Sequence, residues 1–213
     1  MFEVYAAFGQ GCAACTAPIE ATRPGLEGRL CLRCRQELPT ALTRLSALPE
    51  FVTAGWCLGP YTGLLGGLVR QAKYGARLGL LASLGDFMAE GAVVAGLADA
   101  FDGVAPVPGS LRHRLGRGFE AVEVLAGPVA DRVTGRVERV LVRREGAPQA
   151  GQSHAARAAN VRGVYRARAR TRGDWLLIDD VMTTGATASA CALALREAGA
   201  RSVSLLVVAA AAL

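Results

Sequence analysis

The fold is decided by the stretch WLLIDDVMTTGAT, which spans Trp175 to Thr187 and joins an apolar strand, an acidic pair and a loop of small residues. Four consecutive apolar residues at its start predict a strand buried on both faces of a parallel sheet. Asp179 and Asp180 follow at the carboxyl end of that strand. The alanine-rich stretch Ala186 to Ala198 then predicts a helix. This order of strand, loop and helix indicates an α/β fold.

The loop between this strand and this helix predicts an anion site. A helix that begins here leaves free backbone amides and the positive end of its dipole pointing at the loop. The loop residues are small or carry hydroxyl groups: Thr183, Thr184, Gly185, Ala186 and Thr187. A phosphate group fits such a loop without a lysine. The lysine of the GxxxxGK[ST] motif is missing, which disfavours an ATPase or a GTPase.

The acidic pair predicts a partner with neighbouring hydroxyl groups. Two adjacent carboxylates can accept hydrogen bonds from vicinal hydroxyls, and they favour a nearby divalent cation. A ribose that carries a phosphate suits both parts of the site, because its hydroxyl groups match the acids and its phosphate matches the loop. The alternative interpretation is a strand that ends in a solvated acidic turn before a threonine N-cap.

Four cysteines near the start of the chain have the spacing of a zinc site. The pattern C-x2-C-x15-C-x2-C is typical of zinc held by four thiolates. It is formed by Cys12, Cys15, Cys31 and Cys34. Such a site has no open coordination position, so we expect structural zinc without a catalytic role. An iron-sulfur cluster is the alternative.

The composition bounds the classes of protein that fit. The 213 residues are 52% hydrophobic, which is enough for a globular core. No secretory signal and no apolar run of about 18 residues is visible, so we expect a cytoplasmic protein with reduced thiols. The net charge of +6 comes almost entirely from arginine, because Lys73 is the only lysine. Its position could require a compact ammonium, although a surface lysine retained by chance is the simpler interpretation.

A second anion site is predicted in the middle of the chain. The segment Trp56 to Phe101 has a mainly helical pattern, and Gly103 to Pro108 predicts a short strand. This strand is followed by small residues and then by dense positive charge. The candidate residues are Pro108, Gly109, Ser110, Arg112 and Arg117. An arginine-rich surface loop is the alternative interpretation.

The segment between the two anion sites predicts a helix, a strand and a long loop. The helix spans Gly118 to Val133, the strand spans Val137 to Val142, and the loop spans Arg143 to Asn160. Loops of this length in α/β domains often act as lids. Six arginines and no acid lie between Arg157 and Arg172, which suits a pyrophosphate, nucleic-acid phosphates or a solvated face equally. His113 and His154 lie in the candidate loops, and we prefer a non-catalytic interpretation for both.

Together these strings carry a resemblance to known families. WLLIDDVMTTGAT resembles the signature for phosphoribosyl pyrophosphate (PRPP) of the type I phosphoribosyltransferases. Combined with the four cysteines and the strings VAPVPGSLRHRLGRGF and QAGQSHAARAANVRGVY, it resembles the ComF family of competence-associated proteins over nearly the whole chain. The further residues that match the family are Arg117, Gly118, Phe119, Gln149, Arg157 and Asn160. Glu120 and Ala121 stand where Asn and Gln are common in that family.

The resemblance implies a fold and two alternative functions. It implies a type I phosphoribosyltransferase-like parallel sheet flanked by helices, with a small N-terminal four-cysteine zinc module. We expect the module and a linker helix in residues 1–50, and the phosphoribosyltransferase-like domain in residues 51–213. Within that domain, residues 56–101 are expected to form a helical hood and residues 102–213 the PRPP-binding core.

The implied ligand is PRPP with magnesium, and the implied setting is DNA uptake during natural transformation. Asp179 and Asp180 would then hold the ribose and favour positive charge on it during phosphoribosyl transfer. The alternative is a module that binds PRPP or single-stranded DNA without turnover. The chain contains only 6% aromatic residues, so contact with DNA would be mainly electrostatic.

Overall fold

The structure is a computed structural model that describes residues 12, 15, 17, 30–74, 78–109, 120–144 and 163–211. In this part of the chain the elements follow in the order α1 (Leu32–Gln36), β1 (Thr43–Arg44), β2 (Ala54–Pro60), α2 (Gly63–Tyr74), α3 (Leu78–Val94), β3 (Gly103–Pro106), α4 (Ala121–Val133), β4 (Leu141–Arg143), β5 (Tyr165–Ala167), β6 (Asp174–Met182), α5 (Ala186–Glu197) and β7 (Ser202–Ala210). Several predicted site residues lie outside the described residues: Ser110, Arg112, Arg117, Gly118, Phe119, Gln149, Arg157 and Asn160, together with His113 and His154.

A mostly parallel sheet forms the centre of the fold. Its strands lie in the order β1-β2-β7-β6-β3, and only the edge strand β1 is antiparallel to its neighbour. The strands β4 and β5 form a separate antiparallel pair. The carboxyl ends of β2, β3, β6 and β7 therefore share one edge of the sheet, which is where α/β folds place their ligands.

Successive residues of the central strands pack into two apolar layers. In β6, Leu176 and Ile178 pack with α2, α3 and α4, whereas Trp175 and Leu177 pack with α5 and the β4-β5 pair. The strand β7 alternates in the same way. A strand buried on both faces must be apolar at every position, which explains the unbroken apolar runs that the sequence carries. The predicted fold class, a mainly parallel α/β sheet flanked by helices, is confirmed.

Two predicted helical segments need correction. The linker helix expected within residues 1–50 is only the short α1, and the chain then forms β1. Pro39 explains the early end, since the residue before a proline disfavours helical backbone angles. The segment Trp56–Phe101 does contain the helices α2 and α3, but residues 54–60 are the strand β2 of the central sheet.

The predicted strands are also adjusted by the structure. β6 continues to Met182, so the two acids lie inside the strand rather than after it. β3 ends at Pro106. The predicted strand Val137–Val142 is divided, because Val137 bridges Val104 in parallel whereas β4 begins at Leu141.

Candidate functional site

The candidate site lies at the carboxyl end of β6, where the chain turns into α5. Gly185 is the residue before the first turn of α5, and its φ of 74° is left-handed. A side chain there would be strained, and a Cβ would lie 2.8 Å from Cγ of Pro49. Glycine thus allows the tight turn that aims the first amides of α5 at the loop.

The two acids of β6 have different environments. The backbone N–H of Asp180 donates a hydrogen bond to Oδ1 of Asp179 at 2.8 Å. Burial, and then the neighbouring carboxylate of Asp180, raise the pKa of Asp179 to about 8. The carboxyl group of Asp179 is therefore protonated more readily than that of an ordinary aspartate. It can donate a hydrogen bond as well as accept one.

Asp180 is neutralised by the only lysine of the chain. The Nζ atom of Lys73 lies 2.9 Å from Oδ2 and 3.1 Å from Oδ1 of Asp180. Lys73 belongs to the last turn of α2, which is 107 residues away in sequence. One feature of the sequence pointed to this contact, namely the single lysine among arginines, but it did not predict the partner.

The loop Thr183–Thr187 contacts the start of α5 and, through Tyr165, the strand β5. The hydroxyl of Thr184 accepts a hydrogen bond from the backbone N–H of Ala186 at 3.4 Å. Thr187 shares a hydrogen bond with Tyr165. Burial raises the pKa of Tyr165 to about 12, and this hydrogen bond partly offsets the increase. Asp179 and the loop residues line a small cavity of about 40 Å³, whereas Thr183 and Thr184 are exposed to solvent. Two of the five loop residues therefore face outward, whereas Gly185 is buried and Ala186 and Thr187 are partly buried.

The described residues of the predicted second anion site lie at the same edge of the sheet as this loop. Val107 continues the β3 ladder, because its backbone N–H donates to the carbonyl of Ile178 at 2.9 Å. Pro108 and Gly109 follow at the same edge of the sheet as the acids of β6. The backbone N–H of Gly109 donates to Oε2 of Glu120 at 3.3 Å. The sequence predicts that the backbone around Gly109 binds an anion. Its N–H already donates to a carboxylate of the protein itself.

The arginines before β6 lie away from the loop. Arg168, Arg170 and Arg172 line a groove of about 580 Å³ together with residues 197–199 at the end of α5. This groove is at the opposite end of β6, which at about 3.3 Å per residue is roughly 26 Å long. These three arginines are therefore too far from the loop to neutralise a pyrophosphate bound beside it.

The four cysteines form a separate cluster. The sulfur atoms of Cys12, Cys15, Cys31 and Cys34 all lie within 4.8 Å of one another. All four are reduced thiols, and the Sγ atoms of Cys15 and Cys31 are 3.6 Å apart. A tetrahedron of zinc-thiolate bonds of about 2.3 Å separates its sulfurs by about 3.8 Å. The cluster therefore fits a metal ion, and its spacing is too wide for a disulfide.

Comparisons with known proteins add little to this geometry. No family model matches the sequence. No curated protein matches it either. Among solved structures, the chain is similar to the allosteric regulatory enzyme of purine biosynthesis, with 22% identity and a TM-score of 0.40. It is also similar to glutamine PRPP amidotransferase from B. subtilis complexed with ADP and GMP, with 22% identity and a TM-score of 0.41.

In both comparisons the match covers 60% of this chain and 25% of the other chain. The chain thus spans about a quarter of the length of those proteins. Similarity at this level is too low to carry an argument about function, and the fold rests on the strand order and layers described above.

The structure thus brings together two parts of the predicted site. Asp179, Asp180 and the Thr183–Thr187 loop meet at one sheet edge, with Pro108 and Gly109 beside them. Lys73, Tyr165 and Glu120 belong to the same region, although the sequence did not assign them to it. Among the described residues, no helix has the length and apolar character to cross a membrane.

Proposed function

We propose that this chain binds PRPP at the carboxyl edge of its parallel sheet. One observation carries the proposal: β6 delivers two acids to the same edge at which Gly185 turns the chain into the amino end of α5. Acids suit the ribose hydroxyls, and a helix start with threonine hydroxyls suits the 5-phosphate. The ribose and the phosphate of one sugar phosphate therefore both have suitable partners in the nine residues from Asp179 to Thr187.

Each part of PRPP has a proposed partner. The 5-phosphate is bound by Thr183, Thr184, Gly185, Ala186 and Thr187. The ribose hydroxyls are held by Asp179 and Asp180, and the proposed pyrophosphate side contains Pro108, Gly109, Ser110, Arg112 and Arg117. Gln149, Arg157 and Asn160 are proposed to belong to a loop that closes over the ligand. Magnesium would arrive with the pyrophosphate, whose oxygens are the hard ligands that it prefers.

Phosphoribosyl transfer is the reaction that this arrangement suits. The bond between C1 of the ribose and the pyrophosphate oxygen breaks, and the pyrophosphate leaves with the electron pair. The acceptor supplies the electron pair of the new bond to C1. Positive charge develops on the ribose in between, and the carboxyl oxygens of the acid pair are proposed to lie beside it.

Calorimetry with PRPP and magnesium, followed by a pyrophosphate assay on the same sample, tests this proposal. We expect binding, and pyrophosphate release marks turnover. The double substitution Asp179→Asn with Asp180→Asn keeps the size of both side chains and should abolish binding. If the double variant keeps its PRPP affinity, the site is assigned to the wrong residues. A thermal melt of the variant controls for folding.

We propose structural zinc as the ion of the four-cysteine cluster. The proposal is supported by the fit of four thiols to one tetrahedron and by the two-knuckle spacing. Elemental analysis of the purified protein should give one zinc per chain. A content of iron and acid-labile sulfide instead would mean that the cluster is the alternative.

A non-catalytic role in DNA uptake is the second candidate, in line with the resemblance to the ComF family and with residence in the cytoplasm. It is supported by an arginine row, which we define as Arg166, Arg168, Arg170 and Arg172. All four are exposed, while Tyr165 and Thr171 between and beside them are buried. A row of exposed guanidinium groups suits phosphates along a single strand.

The arginine row makes the second candidate testable by its salt dependence. We expect weak binding of single-stranded DNA that falls by about tenfold or more between low and high salt, because bound cations are released from the phosphates. Replacing the four arginines by glutamine should lower both the affinity and the salt slope. DNA binding without PRPP binding would favour this candidate, and affinity that is insensitive to salt would exclude it.

A further inference from the structure

Lys73 joins the end of α2 to the acidic pair of β6. Its ammonium lies within 3.1 Å of both oxygens of the Asp180 carboxylate. The side chain of Lys73 is 33% exposed and that of Asp180 is 12% exposed, so the pair is only partly hydrated. Partly buried pairs with two short contacts have more restricted geometry than exposed ion pairs. The contact therefore fixes where the Asp180 carboxylate points.

The residue type at this position is informative. The chain contains 24 basic residues, and Lys73 is the only one that is not arginine. An ammonium is a compact charge with three donors, whereas a guanidinium is a wide planar fork. A compact ammonium at the mouth of a site neutralises a carboxylate and occupies less space beside a sugar than a guanidinium does.

The charge of the site depends on this lysine. Two ionised carboxylates would repel a ligand that carries phosphate groups, by an interaction that strengthens as water is excluded. Lys73 offsets one of these charges, and the burial of Asp179 reduces the other by raising its pKa to about 8. The acid pair can then hold hydroxyl groups beside a phosphate without strong repulsion.

We propose that Lys73 is a positioning residue of the sugar-phosphate site, which orients the Asp180 carboxylate and neutralises it in place of a divalent cation. This inference rests on the proposed function. It predicts that the sugar and its 5-phosphate bind without magnesium, since the ammonium already occupies the place beside both oxygens of Asp180. Only the pyrophosphate of PRPP then requires the metal.

Ribose 5-phosphate is the probe that isolates this effect, because it lacks the pyrophosphate. For the unmodified protein we expect magnesium to change its affinity by less than about twofold. Lys73→Gln should weaken binding by about tenfold or more without magnesium, as expected for the loss of one charge-assisted contact. Magnesium should restore part of this affinity, because the cation can then bind Asp180. Lys73→Arg keeps the charge and should stay independent of magnesium.

Arg70→Gln is the matched control. Arg70 lies one turn earlier on the same helix and stacks over the ring of Tyr61 at 5.8 Å. The substitution Arg70→Gln removes the same charge without changing the contact to Asp180. The affinity for ribose 5-phosphate should therefore stay within about twofold. Ethylammonium chloride provides a second readout, because it should restore binding to Lys73→Ala, whereas sodium chloride at the same concentration should not.

The outcomes separate this inference from the proposed function. Unchanged binding in Lys73→Gln, or an equal loss in Arg70→Gln, would overturn the role of Lys73 while PRPP binding stands. A loss in Lys73→Arg as large as in Lys73→Gln, or no restoration by magnesium or ethylammonium, would overturn it too. If the unmodified protein binds neither PRPP nor ribose 5-phosphate, both the function and this inference fail. Thermal melts identify a variant that fails to fold, and the comparison then uses Lys73→Arg and Arg70→Gln.

Discussion

Gly185 is the residue on which the shape of the proposed phosphate-binding loop, Thr183–Thr187, depends. Its φ of 74° costs a residue with a side chain about 1–2 kcal/mol, and a Cβ would also meet Pro49. Gly185→Ala should therefore lower the free energy of unfolding by at least this amount and weaken ligand binding. Denaturant unfolding and calorimetry measure the two effects.

Gly67→Ala is the control for that experiment. Gly67 lies inside α2, where a Cβ would meet nothing within 4 Å. The same change should be neutral or stabilising by up to about 1 kcal/mol, because alanine favours a helix. Equal losses in both variants would mean that the left-handed turn has no special role.

Glu120 sets the charge beside the proposed pyrophosphate position. Its carboxylate accepts the backbone N–H of Gly109 and places a negative charge where the leaving group is expected. Glu120→Gln should raise PRPP affinity by about three- to tenfold, because a repulsive charge is removed. The affinity for ribose 5-phosphate should not change. Calorimetry with both ligands checks this, and an equal gain for both would contradict the assigned position.

The sequence predicted the residues of one strand and its loop better than their partners. Asp179, Asp180 and the threonines are contiguous, so a single local pattern contains them. Lys73 comes from a helix 107 residues away, and no periodicity links it to Asp180. Contacts of this kind depend on how α2 packs against the sheet, which local sequence does not encode.

At the level of elements, β6 and β7 are joined at their amino ends by a charged contact. Arg201 donates to Asp174 through Nε at 2.9 Å, and the hydroxyl of Ser202 donates to the same carboxylate oxygen at 2.7 Å. Arg201 first, and Ser202 second, lower the pKa of Asp174 to about 2. The folded state therefore favours the ionised carboxylate more than the unfolded chain does.

This shift predicts how stability depends on pH. The contribution of Asp174 is complete above the ordinary aspartate pKa of about 4 and is lost as the pH falls towards about 2. Asp174→Asn should be less stable than the unmodified protein at pH 7, and the difference should shrink across this window. Urea unfolding at several pH values measures it. Asp131→Asn, an exposed change on α4, controls for net charge, and a difference that persists at pH 2 would contradict the mechanism.

Elements were predictable where their apolar pattern was long or unbroken. β6 and α5 follow from runs that suit only a doubly buried strand or an alanine-rich helix. β2 was missed because its apolar residues were assigned to the helical pattern that follows them, although Gly59, Pro60 and Gly63 separate the two. Whether residues 54–60 form a strand depends on β7, which supplies the parallel partner from the far end of the chain.

At the level of the whole molecule, the cysteine cluster and the sheet share one core. Cys12 and Cys34 are buried in the same hydrophobic cluster as Trp56, Leu58 and Leu206. A structural metal supplies folding energy to the residues that hold it. We therefore expect that metal removal also loosens the α/β domain, beyond the first fifty residues.

Chelation tests this coupling. A strong zinc chelator should lower the melting temperature reported by tryptophan fluorescence, because both tryptophans, Trp56 and Trp175, lie in the sheet. Chelator saturated with zinc should have no effect. Leu32→Ala, at a residue exposed between two of the cysteines, should keep the response, and Cys34→Ser should remove it. An unchanged melting temperature would support an independent module that ends near residue 50.

The position of β7 affects how the chain folds while it is synthesised on the ribosome. Ala54 of β2 pairs with Ser204, so 150 residues are made between a strand and its neighbour. A ribosome that adds about 5–20 residues per second needs roughly 8 to 30 seconds for that interval. Throughout this time the backbone N–H and C=O groups on one edge of β2 have no parallel partner. The nascent chain must therefore be shielded, by its own helices or by a chaperone, until the strand that occupies the middle of the sheet emerges.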